Sequence, residues 1–339
     1  MRVHVLGAGI IGLACARELI RRGHDVTVVD PAPGSGASHA AAGMLSPAGE
    51  AWHGESALHA LGVASARLWP SYAATLGVPL QHTGTLLVGV DAGDRQMVER
   101  QVALLAGHGV EVEVLDGRGA RLLEPALARV GAAAVLSQDG AVDPRAVVAA
   151  LVTELGPRVV ASGPSTLPDA TVLATGARLP APYDRLVRGV RGEILRLRGE
   201  IGLSRVLRGW VRGEPVYVVP RPGGEVVVGA TSEEHDGPPV VTAGGVRRLL
   251  AAATELVPGL DRAELREALA RDRPGTADNR PLVGPTCEAG VFLAAGHFRH
   301  GVLLAPLTAS LVADAVEGAD PDPTLDPRRF DVQTNQEDA

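Results

Sequence analysis

The apolar positions of the first thirty residues change period twice. Val3-His4-Val5-Leu6 is a short apolar run, followed by Gly7-Ala8-Gly9-Ile10-Ile11-Gly12. Ala14, Ala16, Leu19 and Ile20 then recur at helical spacing up to Arg22, Gly23 closes the segment, and Val26-Thr27-Val28-Val29 ends on Asp30. This order predicts a strand, a glycine turn, a helix and a parallel strand. Further on, residues 56–76 carry a helical pattern, 83–90 alternate as a strand, 94–107 form an amphipathic helix and 111–114 a short strand. Asp143-Pro144 supplies the N-cap and first position of a helix reaching about residue 155. Residues 158–162 are strand-like, and 171–177 read as a buried parallel strand running into a glycine turn.

From residue 187 the character becomes antiparallel. Runs at 190–198, 215–220 and 225–231 are expected as strands, the last two joined by the turn Arg221-Pro222-Gly223-Gly224. A helix follows over 242–256. Residues 264–273 fit helix or strand, with strand favoured for the second half. An apolar strand at 291–295 turns through Gly296-His297-Phe298-Arg299-His300-Gly301 into an apolar helix over 302–316, and the chain after Pro321 reads as solvated. The expected fold class is α/β. A Rossmann-like nucleotide domain is assembled from residues 1–80, 141–186 and 271–325. An antiparallel-sheet substrate domain is inserted as 81–140 and 187–270, and residues 326–339 form a tail. No internal repeat interrupts this plan.

The glycines of the first turn have separate tasks. Gly7 makes the turn, Gly9 lets the backbone approach a pyrophosphate, and Gly12 allows the helix to pack on the strand. The helix N-terminus presents unsatisfied N–H groups and partial positive charge to the phosphates. Asp30 stands where a carboxylate accepts from a ribose 2′-OH and repels a 2′-phosphate, which favours FAD or NAD over NADP without choosing between them.

Composition removes several alternatives. The net charge of −7 argues against nucleic acid or an anionic membrane surface as partner. Cys15 and Cys287 have neither metal spacing nor a disulfide framework, which fits a reducing cytoplasm. All 32 residues counted as lysine or arginine are arginine, so a lysine imine, a phosphate-loop lysine and a lysine general base are all absent. Residues 302–316 are interrupted by Pro306, Thr308, Ser310 and Asp314 and fall short of a membrane span.

Four other features carry chemistry. The small residues from Pro31 to Leu45 suit backbone lying against a flat ligand. Gly36-Ala37-Ser38-His39-Ala40 only loosely mimics a nucleophile elbow, because the final glycine and the preceding strand are missing. The turn from Gly296 to Gly301 is either a charge-stabilising helix start or an ordinary glycine turn, and His297 and His300 lack a third ligand for a metal. Arg273, before Pro274-Gly275-Thr276, can hold a carboxylate or make a surface ion pair. Tyr217 alternates onto one face of its strand as a binding group or a packed core residue.

Taken in order, these segments resemble the FAD-dependent D-amino acid oxidase superfamily, with the closest likeness to glycine oxidases of the thiamine pathway. The resemblance rests on the fingerprint ending in Asp30, Ser38-His39-Ala40-Ala41-Ala42-Gly43-Met44-Leu45, Val172 to Gly176, Tyr217-Val218-Val219-Pro220-Arg221, Val227 to Thr231, Arg273-Pro274-Gly275-Thr276 and Ala294 to Gly301. It covers residues 1–316. It implies non-covalent FAD held by Gly7, Gly9, Ile10, Ile11, Gly12, Asp30, Ser38, Ala41, Ala42, Gly43, Met44, Thr175, Gly176, Gly296, His297, Arg299, His300, Gly301, Val302 and Leu303. It further implies that Arg273 binds an amino acid carboxylate with help from Tyr217, and that Arg299 stands at the mouth of the pocket. The chain departs from the pattern in a shortened passage before Val172, and in Ser232 and Pro215, two positions bearing on substrate choice.

The implied activity is oxidation of glycine or a small amino acid by hydride transfer to flavin N5, giving an imino acid and, with molecular oxygen, hydrogen peroxide. No side-chain base is required once the amine is neutral. The implied partners are the amino acid and oxygen, with a homo-oligomeric state. Two other readings remain at this point: an oxidase or dehydrogenase for a D- or N-methyl amino acid, including a biosynthetic tailoring enzyme, and a flavin-binding partner without turnover.

Overall fold

The computed structural model describes residues 1–164 and 166–333. Arg2–Leu6 lies inside a six-stranded sheet, paired in parallel with Asp25–Val29 on one side and Ala170–Leu173 on the other. Val291–Ala295 continues the parallel order beyond Ala170–Leu173, and Leu282–Pro285 adds an antiparallel edge. Val159–Val160 forms the opposite edge. Both faces of this sheet are covered, so its central strands are apolar nearly throughout. Val3, Val5 and Val28 are fully buried and share a core with Leu13 and Leu19 of helix Ile10–Arg21, Leu151 of helix Pro144–Leu155 and Val312 of helix Gly301–Val316.

A second sheet has eight strands, in the spatial order Glu264–Gly275, Arg188–Arg198, Glu225–Gly229, Glu214–Pro220, Val206–Val211, Thr85–Gly89, Ala132–Leu136 and Glu113–Leu115. It is antiparallel apart from the parallel contact of Val206–Val211 with Thr85–Gly89. Period-two alternation separates its faces. Leu195, Leu207, Val218 and Val228 pack under helix Ala243–Leu256, while Ile194, Val206, Val219 and Val227 face Ala40, Ala42 and Ala141. A three-stranded ribbon of Met44–Leu45, Gly140–Val142 and Leu80–Gln81 lies between these segments in the chain.

Several elements differ from the sequence expectation. Glu264–Gly275 is a strand along its whole length, paired from Arg198↔Glu264 to Arg188↔Gly275. Its first half consists of good helix formers, and sheet pairing overrides that preference. Val206–Val211, Ala132–Leu136, Gly140–Val142 and Leu282–Pro285 are further strands, and Gly117–Leu123 is a further helix. The chain after Pro321 is not simply solvated. The Leu325 side chain is buried, its carbonyl accepts from Val283 N at 2.9 Å, and Arg329 pairs with Asp278 at 3.0 Å. A single leucine among prolines and aspartates gives no periodicity that would reveal this docking. Residues 334–339 of the expected tail lie outside the described residues. Among the described residues no helix is long and apolar enough to cross a membrane.

Candidate active site

A cavity of about 750 Å³ is lined from both large sheets. At one end lie Gly7, Gly9, Ile10, Ile11, Asp30, Thr175 and Gly176. Gly7 has φ +105°, and a Cβ there would run into the Ala174 carbonyl. Helix Ile10–Arg21 starts at Gly9 without a capping side chain of its own, and Ser38 Oγ accepts from Ile10 N at 3.0 Å. The Asp30 carboxylate accepts from Ala8 N at 2.7 Å and Ala32 N at 2.8 Å, which holds it at the cavity wall with lone pairs left for a hydroxyl. An open helix N-terminus next to a fixed carboxylate acceptor is the donor and acceptor set that a pyrophosphate and ribose require.

The small-residue segment follows along the wall, and Gly36, Ser38, Ala41, Ala42, Gly43 and Met44 all line the cavity. Its backbone is pinned by three arginines that the sequence reading did not single out. Arg271 Nε donates to Ser35 O at 3.0 Å, Arg145 Nε to His39 O at 2.9 Å, and a terminal nitrogen of Arg221 to Ala42 O. Arg221 is buried, and that burial lowers the basicity of its guanidinium, partly offset by the charge of Asp143. Gly43 has φ +75°, and a Cβ there would collide with the Val142 carbonyl and the Pro144 ring. The flat backbone surface therefore depends on glycine at this position.

The C-terminal turn contributes His297, Arg299, Gly301 and Val302 to the cavity. Four residues expected at the cofactor do not line it. Gly12 faces inward, where a Cβ would meet the Gly7 carbonyl and lie 3.2 Å from Ala174 Cβ, so its task is helix-on-strand packing. Gly296 shapes the turn, with φ +72° and the Thr276 methyl where its Cβ would be. His300 is buried beside a separate small recess with Glu50, Glu55 and Leu58. Leu303 points into the core, and its carbonyl accepts from Ser65 Oγ at 2.6 Å and Trp69 Nε1 at 2.9 Å. Burial pushes His297 down to about 3 and His300 to about 4, so both rings are neutral at physiological pH. His297 Nε2 lies 2.9 Å from Thr308 Oγ1. Among the described residues there is no metal-binding cluster.

At the other end the cavity meets the second sheet. Arg208, Tyr217 and Gly229 are paired neighbours across three strands and therefore share one face. A Cβ on Gly229 would overlap the Tyr217 phenol, and one on Gly192 would overlap the Arg273 guanidinium. The two glycines thus provide the floor on which the two binding groups rest. Burial raises the Tyr217 hydroxyl above the usual phenol range against the opposing charge of Arg273, so it stays a donor. The Arg273 guanidinium donates to Thr231 O at 3.2 Å and lies within reach of the Tyr217 hydroxyl, and among the described residues it makes no ion pair. Arg299 differs, because its charge is taken up by Glu50 at 2.8 Å and Glu55 at 2.5 Å. Arg208 pairs with the same Glu50 at 2.5 Å. The sequence pattern carried no signal for Arg208, Glu50 or Gly192, and it carried Gly229 only within the string from Val227 to Thr231, because their roles depend on which strands and turns meet in the fold.

Comparison with known proteins places the chain. The family model described as DAO, FAD dependent oxidoreductase, matches residues 2–315. The putative thiamine biosynthesis oxidoreductase ThiO of Rhizobium etli is 36% identical, over 92% of this chain and 95% of that protein. The bifunctional protein ThiO/ThiG of Trichormus variabilis is 33% identical over 95% of this chain, which spans about half, 53%, of that longer protein. The crystal structure of glycine oxidase from Geobacillus kaustophilus superposes with a TM-score of 0.86 at 31% identity, covering 94% of this chain and 95% of that one. With the dinucleotide wall, the small-residue platform and these matches in hand, the chain belongs to the DAO family of FAD-dependent oxidoreductases.

Proposed function

We propose that this enzyme oxidises glycine or another small amino acid to the imino acid with formation of hydrogen peroxide, in the supply of material for thiamine thiazole synthesis. The observation that carries the proposal is the Arg273 guanidinium, without a carboxylate partner among the described residues, resting beside the Tyr217 hydroxyl inside the cavity. A planar guanidinium receives a carboxylate through two parallel hydrogen bonds, and the hydroxyl adds a third donor. FAD, when bound, would supply the two-electron acceptor, with molecular oxygen as the final oxidant. The chain itself binds and orients: Arg273 and Tyr217 fix the carboxylate, and the neutral His297 adds no positive charge to repel an ammonium group. Glycine oxidase and ThiO as names of similar proteins support the small substrate and the pathway.

Arg273→Ala is expected to raise KM for glycine by about a hundredfold, the scale of losing a charged bidentate hydrogen bond, while the protein keeps its FAD. A peroxide assay across glycine, sarcosine and D-amino acids measures this, and an unchanged KM would remove the carboxylate assignment. The same reading includes a homo-oligomer in the cytoplasm and the two-domain division given above, supported by the family resemblance and the two sheets.

A further inference from the structure

Glu50 is a buried carboxylate at the substrate end of the cavity that faces two arginines: Oε1 accepts a hydrogen bond from Arg208 at 2.5 Å, and Oε2 lies 2.8 Å from Arg299 Nε as an ion pair without a hydrogen bond. Burial works against its charge, but the guanidinium charges of Arg208 and Arg299 hold its ionisation below the usual carboxylate range. Arg208 sits directly opposite Tyr217 in the strand ladder, about one strand spacing away. The Tyr217 hydroxyl feels Arg273, Glu50 and Arg208 together, so the four groups share one electrostatic neighbourhood. Around it stand three guanidinium groups, from Arg208, Arg273 and Arg299, and two carboxylates, from Glu50 and Glu55. One positive charge remains, at Arg273.

We propose that Glu50 is a specificity-determining residue, an internal carboxylate that occupies a second anion-binding position at Arg208 and so restricts the pocket to substrates with one carboxylate, excluding aminodicarboxylates. The inference rests on the proposed amino acid chemistry. Its physical basis is that an incoming second carboxylate meets Glu50 where it would need a free guanidinium, and like charges in a partly desolvated site repel strongly. Removing the Glu50 charge frees Arg208, whereas Arg299 keeps Glu55 at 2.5 Å. The side chains of Arg208 and Arg299 are 25% and 23% exposed, so water reaches the guanidinium groups that lose a partner.

The test compares the FAD-loaded wild type with Glu50→Gln on glycine, iminodiacetate and D-aspartate by peroxide formation. The ratio of kcat/KM for iminodiacetate to that for glycine should rise by at least about tenfold in Glu50→Gln, the worth of one freed charge-assisted contact. The gain should vanish in Glu50→Gln combined with Arg208→Gln. An unchanged ratio in flavin-loaded Glu50→Gln would overturn the proposal, as would a gain that survives in the double variant. Loss of glycine turnover without any gain on dicarboxylates would also overturn it, because Glu50 would then be serving the substrate amine.

A variant-free measurement covers the case in which Glu50→Gln does not retain flavin. Titration of the wild-type flavin spectrum with acetate and malonate should give malonate no advantage, and malonate binding tenfold tighter than acetate would refute the idea. A wild type that oxidises no amino acid would sink the proposed function instead, and the malonate titration would still decide this inference.

Discussion

Gly229 and Gly192 leave room for the Tyr217 ring and the Arg273 head, so the geometry of the carboxylate site depends on two side chains that are absent. Neither glycine has a positive φ, and alanine is compatible with the backbone at both positions. Gly229→Ala is therefore expected to fold and bind FAD, yet to displace the Tyr217 ring by roughly the size of a methyl group. Misplacement of a binding group on that scale costs about a hundredfold in rate, so steady-state kinetics should show kcat/KM for glycine falling by one to two orders of magnitude. Retention of full activity would mean that Tyr217 does not position the substrate. At this scale Arg273 and Tyr217 were legible in the sequence because they lie in recognisable strings. Gly192 lies in no such string, and Gly229, within Val227 to Thr231, did not show its task as a support, since a glycine inside a strand can equally mark a bulge or a bend.

The segment 34–44 is the element on which a flat cofactor depends, and it contains almost no regular structure. A four-residue helix at Ala37–Ala40 and a two-residue strand at Met44–Leu45 are all that it forms internally. Its conformation is imposed by Arg145, Arg221 and Arg271, each donating to a backbone carbonyl. Arg221→Ala should weaken FAD binding by about ten- to a hundredfold, given that a hydrogen bond from a charged donor contributes about 1.5–3 kcal/mol. Fluorescence titration of apoprotein with FAD checks this, and an unchanged Kd would show that the brace is dispensable. Likewise Trp69→Phe removes one of two donors to the Leu303 carbonyl and should lower stability by about 1 kcal/mol in urea denaturation. The small-residue composition of the segment was visible in the sequence. The braces were not, because Arg221 follows strand Glu214–Pro220 and Arg271 lies in strand Glu264–Gly275, both of the other sheet, and that last strand carries a helix-like pattern in its first half.

Across the whole molecule, the two buried neutral histidines link folding to pH. Their folded-state values, about 3 for His297 and about 4 for His300, lie below the 6.5 of an exposed imidazole. Between pH 6.5 and 4 the unfolded chain therefore binds protons that the folded chain does not, and stability is lost as the pH falls through that window. Each histidine contributes at most about 1.4 kcal/mol per pH unit. His300 faces Glu50, Arg299 and Arg208 as well as the apolar surroundings that exclude its charge. His300→Gln should thus show a shallower loss of stability than the wild type between pH 6.5 and 5 in urea denaturation of the FAD-loaded enzyme. Equal slopes would mean that His300 is already charged in the folded state.

The sequence by itself determined the local units: the glycine turn ending in Asp30, the capped helix starting at Asp143-Pro144, the period-two runs of the antiparallel sheet and the turn before the last helix. Each depends on side chains within a few residues of one another, where φ preference, capping and apolar period act directly. Only the tertiary structure decided which arginine keeps its charge for a ligand. Arg273, Arg208 and Arg299 are indistinguishable by type, and Glu50 and Glu55, far from all three in the chain, neutralise Arg208 and Arg299 and leave Arg273 free. The physical reason is that Coulomb energy depends on separation in space and on burial, and the packing of the turns that carry Glu50, Glu55 and Arg299 against the strands of Arg208 and Arg273, not sequence distance, sets both.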